Sequence, residues 1–346
     1  MLSSEAVPQP ETTNTRGGEV RHAEHPDAFA PVANTPPVRD GVRDTPARAG
    51  AAVANLELLP ARDRRALRLL AQLRLLSYAH LRLAAYDTAH PSVTRRRMTQ
   101  LAQRGLVSVW ESPARAGGHT RYALLTPAAT RVMTTELARA VEQEPFAPLV
   151  RLMLPQTTRR ALTLTPGARV PWLAHQIEIN TLLLRMHNAG TLPWMSAWDC
   201  PFPSRLASFE MPQPDYIVVE ERDGVRQLVF GEHDRGSEPV ERFVARKVLL
   251  YAALAAFPEA CEQHFGFRAF TVRVTVTDPI HRAPVRRLRE LLAATRAACG
   301  SEIAHLFRFT LAGWLHAYTD AAIWASVGND LTHDAVRWQE HVLAAT

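Results

Sequence analysis

The chain is 346 residues long, carries a formal net charge of +6, and is 47% hydrophobic and 21% charged, which fits a globular protein of two domains with tails. No apolar run reaches about eighteen residues, which excludes a membrane span, and the three widely spaced cysteines exclude a disulfide framework or a zinc ribbon. We therefore expect a cytoplasmic protein, and its positive charge permits an anionic partner without establishing one.

The first 55 residues are rich in proline, alanine, threonine and charged side chains. They lack the apolar stretch of a secretory signal. A segment of this composition cannot bury enough apolar surface to offset the entropy of ordering its chain. We predict that residues 1–55 form a disordered tail.

Residues 56–143 carry helix patterns with clear boundaries. Leucines at helical spacing indicate a first helix over 62–76, and Ser77 is a candidate N-cap for a second helix. Ser92 is a candidate N-cap for a third helix, and Gly105 is the residue type that commonly follows a helix end. Three helices are therefore expected before the first strand.

Two β-rich runs, 106–110 and 120–125, follow the third predicted helix and flank a glycine-containing tip at 113–119. Thr126 and the proline after it then supply the N-cap and first turn of a fourth helix. Three helices, a β-hairpin and a following helix are the order of a winged helix-turn-helix. We predict a winged helix DNA-binding domain over 56–143.

The third predicted helix has a polar and basic first half, while Met98 and Leu101 leave an apolar face for packing. Recognition helices contact base edges mainly through their N-terminal residues, so we interpret this helix as the DNA reader. Two arginines of the hairpin are wing candidates for phosphate or minor-groove contact. The candidate DNA-binding residues are Ser92, Thr94, Arg95, Arg96, Arg97, Gln100, Arg115 and Arg121.

Four prolines lie in the segment 144–170, which predicts an interdomain linker. The pattern changes at residue 171, where an amphipathic helix is expected over 172–187. Further along, an Asp-Gly pair at 223–224 stands between two β-rich runs and is a strong hairpin signal. A two-residue loop there fixes the register of the two strands. The cross-strand pairs that it implies are Val219 with Leu228, Ile217 with Phe230, and Glu221 with Arg226.

The same register places Asp215 opposite Glu232, with Asp234 two residues further along the same face. Like charges so close together need a cation, and a divalent metal, a lysine or a shared proton would each serve. Lys247 is the only lysine in the chain and lies in a predicted helix over 239–257. We expect it on the apolar stripe of that helix, pointing toward the sheet. The other members of that stripe are Phe243, Leu250 and Leu254.

The remaining patterns predict a strand over 268–277, a helix over 285–299 and a short strand over 303–310. The fold class expected for 171–312 is α/β with a mixed sheet, so we predict that the chain as a whole is a two-domain α+β or α/β protein. A helical tail is expected over 313–346, with three tryptophans at amphipathic spacing. These are Trp314, Trp324 and Trp338.

A Pro-Asp dipeptide ending at Asp215, the sequence Glu232-x-Asp234 on the next strand and Lys247 on the following helix resemble the PD-(D/E)XK nuclease core. The resemblance implies that Asp215 and Glu232 bind Mg²⁺ and that the lysine orients or activates the attacking water. Glu178 could match the acid often found on the first helix of that core. The chain departs from the pattern at Asp234, where the motif lysine would stand.

From about residue 56 to 309 the chain more closely resembles the replication-relaxation family of plasmid and mobile-element proteins. The resemblance implies DNA binding and a role in plasmid replication, DNA relaxation or mobilisation. The residues that carry it are Arg95-Arg96-Arg97, Gly105-Leu106-Val107, Leu125-Thr126-Pro127, His175 with Asn180, Pro214-Asp215, the run 232–238, Lys247 and Tyr251.

Two functions follow from these resemblances. In the first, the protein is a Mg²⁺-dependent DNA nickase or endonuclease. Asp215 and Glu232 would hold the metal, Asp234 would be a third ligand or base, and Lys247 would neutralise phosphate charge.

In the second, the protein is a non-catalytic replication or transcription regulator with a degenerate nuclease-like domain. The acids and the lysine then form a buried ion network to which Arg235 and Glu238 belong. A third interpretation is a tyrosine relaxase that uses Tyr251 or Tyr216, but the sequence lacks the His-x-His type of metal triad. The partner expected is double-stranded DNA, and other plasmid replication or mobilisation proteins and a second copy of the chain are further candidates.

Overall fold

The computed structural model describes most of the chain between residues 56 and 326. The described residues are 56, 58–87, 90–113, 119–153, 170–186, 194–197, 205–206, 209–222, 224–313 and 325–326. Several sequence predictions lie outside them. These are the tail over 1–55, the wing tip with Arg115, most of the linker after residue 153, and the three tryptophans of the C-terminal tail.

The first part of the fold consists of helices and a three-stranded antiparallel sheet. Its strand order is β1-β3-β2, so the strand between the first two helices pairs with the second strand of the hairpin. A π-helical turn, Arg82–Tyr86, extends α2 (Tyr78–Leu81). The elements are α1 (Ala61–Leu73), β1 (Leu75–Ser77), α2 (Tyr78–Leu81), α3 (Pro91–Gln103), β2 (Val107–Pro113), β3 (His119–Leu125) and α4 (Pro127–Ala140).

Side chains cap these helices largely as predicted. The Ser77 hydroxyl accepts the amide of His80, and the Thr126 hydroxyl accepts the amide of Ala129, which satisfies donors that a helix start leaves free. The prediction that Ser92 caps α3 is wrong. The helix begins one residue earlier, at a proline in the favoured first position, and His90 is the N-cap.

The predicted linker contains a packed helix, α5 (Ala147–Met153). Phe146, Leu149 and Val150 are buried in the core. Arg226 of the later hairpin forms an ion pair with Glu144 and lies over the Phe146 ring at 5.2 Å from its centroid. The beginning of this segment is therefore part of the folded structure.

A mixed six-stranded sheet organises the second part, in the order β11-β10-β9-β8-β7-β4. Helices carry the chain between the parallel neighbours β8, β9 and β10. A separate pair, β5 (Arg205–Leu206) and β6 (Phe209–Glu210), forms its own small sheet. The main-sheet strands are β4 (Trp194–Ala197), β7 (Tyr216–Arg222), β8 (Val225–Asp234), β9 (Phe270–Val276), β10 (Phe307–Leu311) and β11 (Ala325–Ser326).

The helices of this part pack on the sheet and form the connections between its parallel strands. A π-helical turn, Val244–Val248, joins α7 (Val240–Phe243) to α8 (Leu249–Ala255), and Gly300 interrupts the last helix with non-helical backbone. Residues 325–326 pair with β10, so this piece of the predicted helical tail is a strand. The helices are α6 (Val170–Met186), α7 (Val240–Phe243), α8 (Leu249–Ala255), α9 (Pro258–Phe265) and α10 (Pro284–Ala304).

The hairpin of β7 and β8 has the predicted register. Val219 pairs with Leu228 and Ile217 with Phe230, so the apolar side chains share one face as expected. On the other face Gly231 lies against the ring of Tyr216, since a Cβ at this glycine would be 1.9 Å from the ring carbon Cζ. The pairing fixes the end of β8 where the acidic residues lie.

Helix α6 joins the two parts of the fold. Its buried Asn180 donates to the carbonyl oxygens of Leu73 and Leu75, at 3.4 and 2.5 Å, and Thr181 contacts the ring of His80 at 2.9 Å. The hydrophobic core runs without a break from α1 through the six-stranded sheet. Other residues of α6 face the charged end of β8, where the candidate site is found.

Candidate functional site

Lys247 is bound to Glu232 inside the fold. Its Nζ lies 2.7 Å from Glu232 Oε2 and donates to the carbonyl oxygen of Gln213 at 2.5 Å. The hydroxyl of Tyr251, one turn along the helix, donates to Glu232 Oε1 at 2.6 Å. The Glu232 side chain is only 2% exposed, so both of its oxygens have protein partners in a buried place. Lys247 occupies a π-helical turn, a distortion often found at functional sites.

Asp215 lies immediately before β7. Its Oδ2 accepts the backbone amide of His233 at 2.7 Å, and its Oδ1 lies 3.5 Å from Nε2 of His175. Burial raises the pKa of Asp215, but the hydrogen bond from His175 and the positive charge of Lys247 outweigh it and lower the pKa to about 2. This carboxylate is ionised at neutral pH.

The two acids share one ammonium. Burial raises the pKa of Glu232, the charge of Asp215 adds to the rise, and Lys247 and Tyr251 offset it only in part, so the pKa is about 8. Burial lowers the pKa of Lys247, but the charges of Glu232 and Asp215 outweigh it and raise the pKa. Lys247 therefore stays charged between the two acids, and the pKa of the more buried Glu232 is raised while that of Asp215 is lowered.

Asp234 has a different partner from the other two acids. Its carboxylate accepts Nε and Nη2 of Arg287, both at 2.9 Å, in a bidentate pair. The prediction that Lys247 balances all three acids is therefore wrong for Asp234. Arg287, on α10, was missed by the sequence reasoning because its partner lies 53 residues away. It also donates to the carbonyl oxygen of Glu238 at 2.6 Å.

Glu178 of α6 reaches the same region. Its Oε2 lies 2.8 Å from Nε2 of His233 and 3.1 Å from Nε of Arg235. Burial raises the pKa of Glu178, but these partners outweigh it and lower the pKa. The Glu238 carboxylate instead pairs with Arg242, at 3.0 Å. The structure thus brings Glu178 and Arg235 to the cluster, whereas Glu238 contributes its backbone carbonyl.

These residues surround an open pocket of ≈ 180 Å³. Mg²⁺ requires near-octahedral oxygen ligands at about 2.0–2.1 Å. Here the oxygens of Glu232 are occupied by Lys247 and Tyr251, and Asp215 faces His175 and a backbone amide. The pocket is lined by His175, Asp215, Glu232, His233, Asp234, Arg235, Ser237, Glu238, Phe243 and Lys247.

The donor set does not fit a divalent metal in this arrangement. Among the residues that the structure describes, no group of three or more His, Cys, Asp or Glu side chains is placed to hold a metal ion. The cation that the sequence reasoning required is present as the ammonium of Lys247 beside Glu232.

Helix α3 presents two arginines to solvent. Arg95 and Arg96 are exposed, and neither makes an ion pair with any residue in the described part of the chain. Ser92 and Gln100 are also exposed, and the Ser92 hydroxyl contacts Nδ1 of His90 at 2.6 Å. Thr94, by contrast, is 1% exposed. Its assignment as a DNA contact is wrong because it lies on the packed face of the helix.

Two further arginines predicted to contact DNA have acidic partners. Arg97 pairs with buried Asp63 on α1, and its Nε donates to Asp63 Oδ1 at 3.0 Å. Arg121 on β3 pairs with Glu111 on β2 at 2.6 Å, with both side chains largely exposed. Arg121 can exchange this surface partner for a phosphate, whereas Arg97 is fixed to the protein.

The fold and the site describe an α/β protein with an exposed basic helix and a buried ion cluster. A model of the family described as replication-relaxation matches residues 67–269, more than half of the chain. The chain therefore belongs to the replication-relaxation family, which confirms the resemblance found in its sequence. No curated protein and no solved structure shows a significant match to it. None of the helices in the described residues has the length and apolar character that crossing a bilayer requires.

Proposed function

We propose that the protein binds double-stranded DNA through α3 and acts in the replication of a plasmid or mobile element. The observation that carries the proposal is the pair Arg95 and Arg96, exposed and without ion pairs among the described residues, on the N-terminal half of a helix packed through its opposite face. Membership of the replication-relaxation family supports a role in replication.

The order of elements supports a winged helix as the DNA-binding unit. Helix α3 follows α2 and precedes the hairpin of β2 and β3, so it has the place of a recognition helix. Arg121 on the hairpin is close to solvent and can reach a phosphate. Such contacts release counterions, so the affinity falls as salt rises.

Fluorescence anisotropy with a labelled 30-base-pair duplex of mixed sequence tests this proposal. Arg96→Ala should weaken binding about fivefold or more at matched salt, since it removes one phosphate or base contact. Arg268→Ala is the matched control, because it removes an equal charge from a surface residue that pairs with Glu259 and Glu262. Equal affinity of Arg96→Ala and the wild-type protein would remove α3 from the interface.

We further infer that the cluster around Lys247 is a structural ion network and that the protein does not cleave DNA with Mg²⁺. The support is the pairing of each acid: Glu232 with Lys247 and Asp234 with Arg287, while Asp215 accepts an amide. A metal would have to displace the ammonium from Glu232, which the burial of this side chain opposes.

A nicking assay separates this proposal from the nuclease alternative. Supercoiled plasmid is incubated with the wild-type protein, Asp215→Ala and Lys247→Ala, with and without Mg²⁺ or Mn²⁺. We expect no metal-dependent nicking by any of the three. Nicking by the wild-type protein that requires metal and is lost in Asp215→Ala would establish the nuclease instead.

Other replication or mobilisation proteins and a second copy of the chain are further proposed partners. Sedimentation velocity of the protein alone and with DNA tests the second of these. A complex that contains two copies of the chain per duplex would support a homodimer. A complex with one copy of the chain per duplex at saturation would contradict it.

A further inference from the structure

Asp63 joins the three helices of the proposed DNA-binding unit. It lies in the first turn of α1, and its side chain is 1% exposed. Its carboxylate receives Nε of Arg97 from α3 at 3.0 Å and makes a second contact with Nη2 of the same guanidinium. The hydroxyl of Tyr86, at the end of the π-helical turn after α2, donates to it at 3.1 Å.

The contact between Asp63 and Arg97 constrains both the position and the rotation of α3. A planar guanidinium bound through two nitrogens to one carboxylate has a defined orientation, unlike a single hydrogen bond. Arg97 follows Arg95 and Arg96 directly on the same helix, so fixing the rotation of the helix at Arg97 also fixes the directions in which these two exposed side chains leave it. Arg97 also donates from Nη1 to Gln100 Oε1 at 2.8 Å, which orders a second exposed polar residue of the helix.

Tyr86 completes the site from the other side. Its side chain is buried, and burial together with the charge of Asp63 raises its pKa, so the hydroxyl remains a donor over the physiological range. The hydrogen bond that Arg97 donates to Asp63 raises the pKa of Arg97, which stays charged. Asp63 thus has its hydrogen-bonding partners supplied by residues of α3 and the turn after α2.

We propose that Asp63 is a positioning residue for DNA binding, which it supports by holding α3 through Arg97 with Arg95 and Arg96 directed at the duplex. The inference rests on the proposed function. It makes a prediction opposite in sign to simple electrostatics. Asp63→Asn removes a negative charge near the proposed interface, which alone would tighten binding to an anionic duplex. Loss of the bidentate contact between Asp63 and Arg97 should instead weaken binding to the duplex.

The test compares the affinity of the 30-base-pair duplex for the wild-type protein, Asp63→Asn and Glu136→Gln, at one salt concentration. Glu136, exposed on α4, is the control for removing one negative charge. Circular dichroism first sets a temperature at which all three are folded. We expect Asp63→Asn to bind about fivefold or more weakly and Glu136→Gln to bind as tightly as the wild-type protein or more so. Affinity of folded Asp63→Asn equal to or above that of the wild-type protein would overturn the proposal.

Arg97→Lys is a second variant, needed if Asp63→Asn does not fold. It keeps the charge and removes the two-nitrogen contact, so weaker binding supports positioning and unchanged binding overturns it. The outcome is separable from that of the proposed function. If the wild-type protein does not bind the duplex, both proposals fail. If Arg96→Ala loses affinity while Asp63→Asn and Arg97→Lys do not, only the role of Asp63 fails.

Discussion

Replacing Lys247 by methionine removes the ammonium from the cluster and keeps a side chain of similar length. The wild-type ammonium contacts Glu232 and the carbonyl oxygen of Gln213, and its charge balances Asp215. In the variant, Asp215 loses its counter-charge and the buried Glu232 can avoid an unpaired charge only by keeping its proton. The loss of stability should therefore depend on pH.

The size of the effect follows from the state of Glu232. The pKa of Glu232 is about 8, so at pH 6 this side chain is protonated in both proteins. The variant then loses mainly one hydrogen bond and the positive charge that balances Asp215, which should lower the free energy of unfolding by about 2 kcal/mol. At pH 9 the wild-type Glu232 is ionised beside Lys247, a state the variant cannot reach. Each pH unit above that pKa adds about 1.4 kcal/mol. The expected loss at pH 9 is then about 3–4 kcal/mol, in the range for breaking a buried pair.

Urea denaturation at pH 6 and pH 9 measures both values. Arg246→Met is the matched control, because it removes a charge from the exposed neighbouring residue. In the Glu232→Gln background the additional loss between pH 6 and pH 9 should disappear, since no proton can be released. A Lys247→Met protein as stable as Arg246→Met, or one whose deficit shrinks as pH rises, would refute the reasoning.

Two other changes test the remaining structure. Because the pKa of Glu232 is raised, its contribution to stability is complete below about pH 4.5 and is lost as pH rises toward 8. Glutamine stays uncharged over this range, so the melting temperature of Glu232→Gln relative to that of the wild-type protein should rise between pH 5 and pH 8. A difference in melting temperature that does not change with pH would contradict this. Asn180→Ala leaves the carbonyl oxygens of Leu73 and Leu75 without their donor. It should lower the free energy of unfolding, measured in urea, by about 1–3 kcal/mol. A decrease no larger than that of the exposed-site control Thr99→Ala would be inconsistent with a buried hydrogen bond.

The hairpin of β7 and β8 could be predicted from the sequence because its register depends on local chemistry. A two-residue turn at Gly224 leaves one pairing in which Val219, Leu228 and their neighbours share a face, and that pairing is the one found. The glycine has a φ of 76°, in the left-handed region that such a turn requires. From this register the proximity of Asp215 and Glu232 followed directly.

The recognition helix could be predicted only in part. Thr94 lies four residues before Met98 and seven before Leu101, so helical spacing alone places it on the packed face where it is found. The partner of Arg97 could not be found this way. Asp63 precedes it by 34 positions on another helix, and periodicity carries no information about which charged residues meet across helices.

The same limit applies to the acidic cluster. Arg287 reaches Asp234 from α10, and its position in an amphipathic helix shows no sign of this pairing. The π-helical turn at Val244–Val248 also changes the phase of the helix that carries Lys247. Tyr251 and not Leu250 is therefore the fully buried residue after it, and the regular 3.6-residue spacing did not predict the hydroxyl that binds Glu232.

The salt dependence of DNA binding tests the central claim most directly. The affinity for the 30-base-pair duplex is measured over a series of salt concentrations for the wild-type protein, Arg95→Ala/Arg96→Ala, and the control Arg268→Ala/Arg286→Ala, which removes the same charge from another surface. If both arginines contact phosphates, the slope of log K against log salt should become shallower by about 1.8 in the first double variant and stay unchanged in the control. Identical slopes for the wild-type protein and Arg95→Ala/Arg96→Ala would contradict DNA binding through α3.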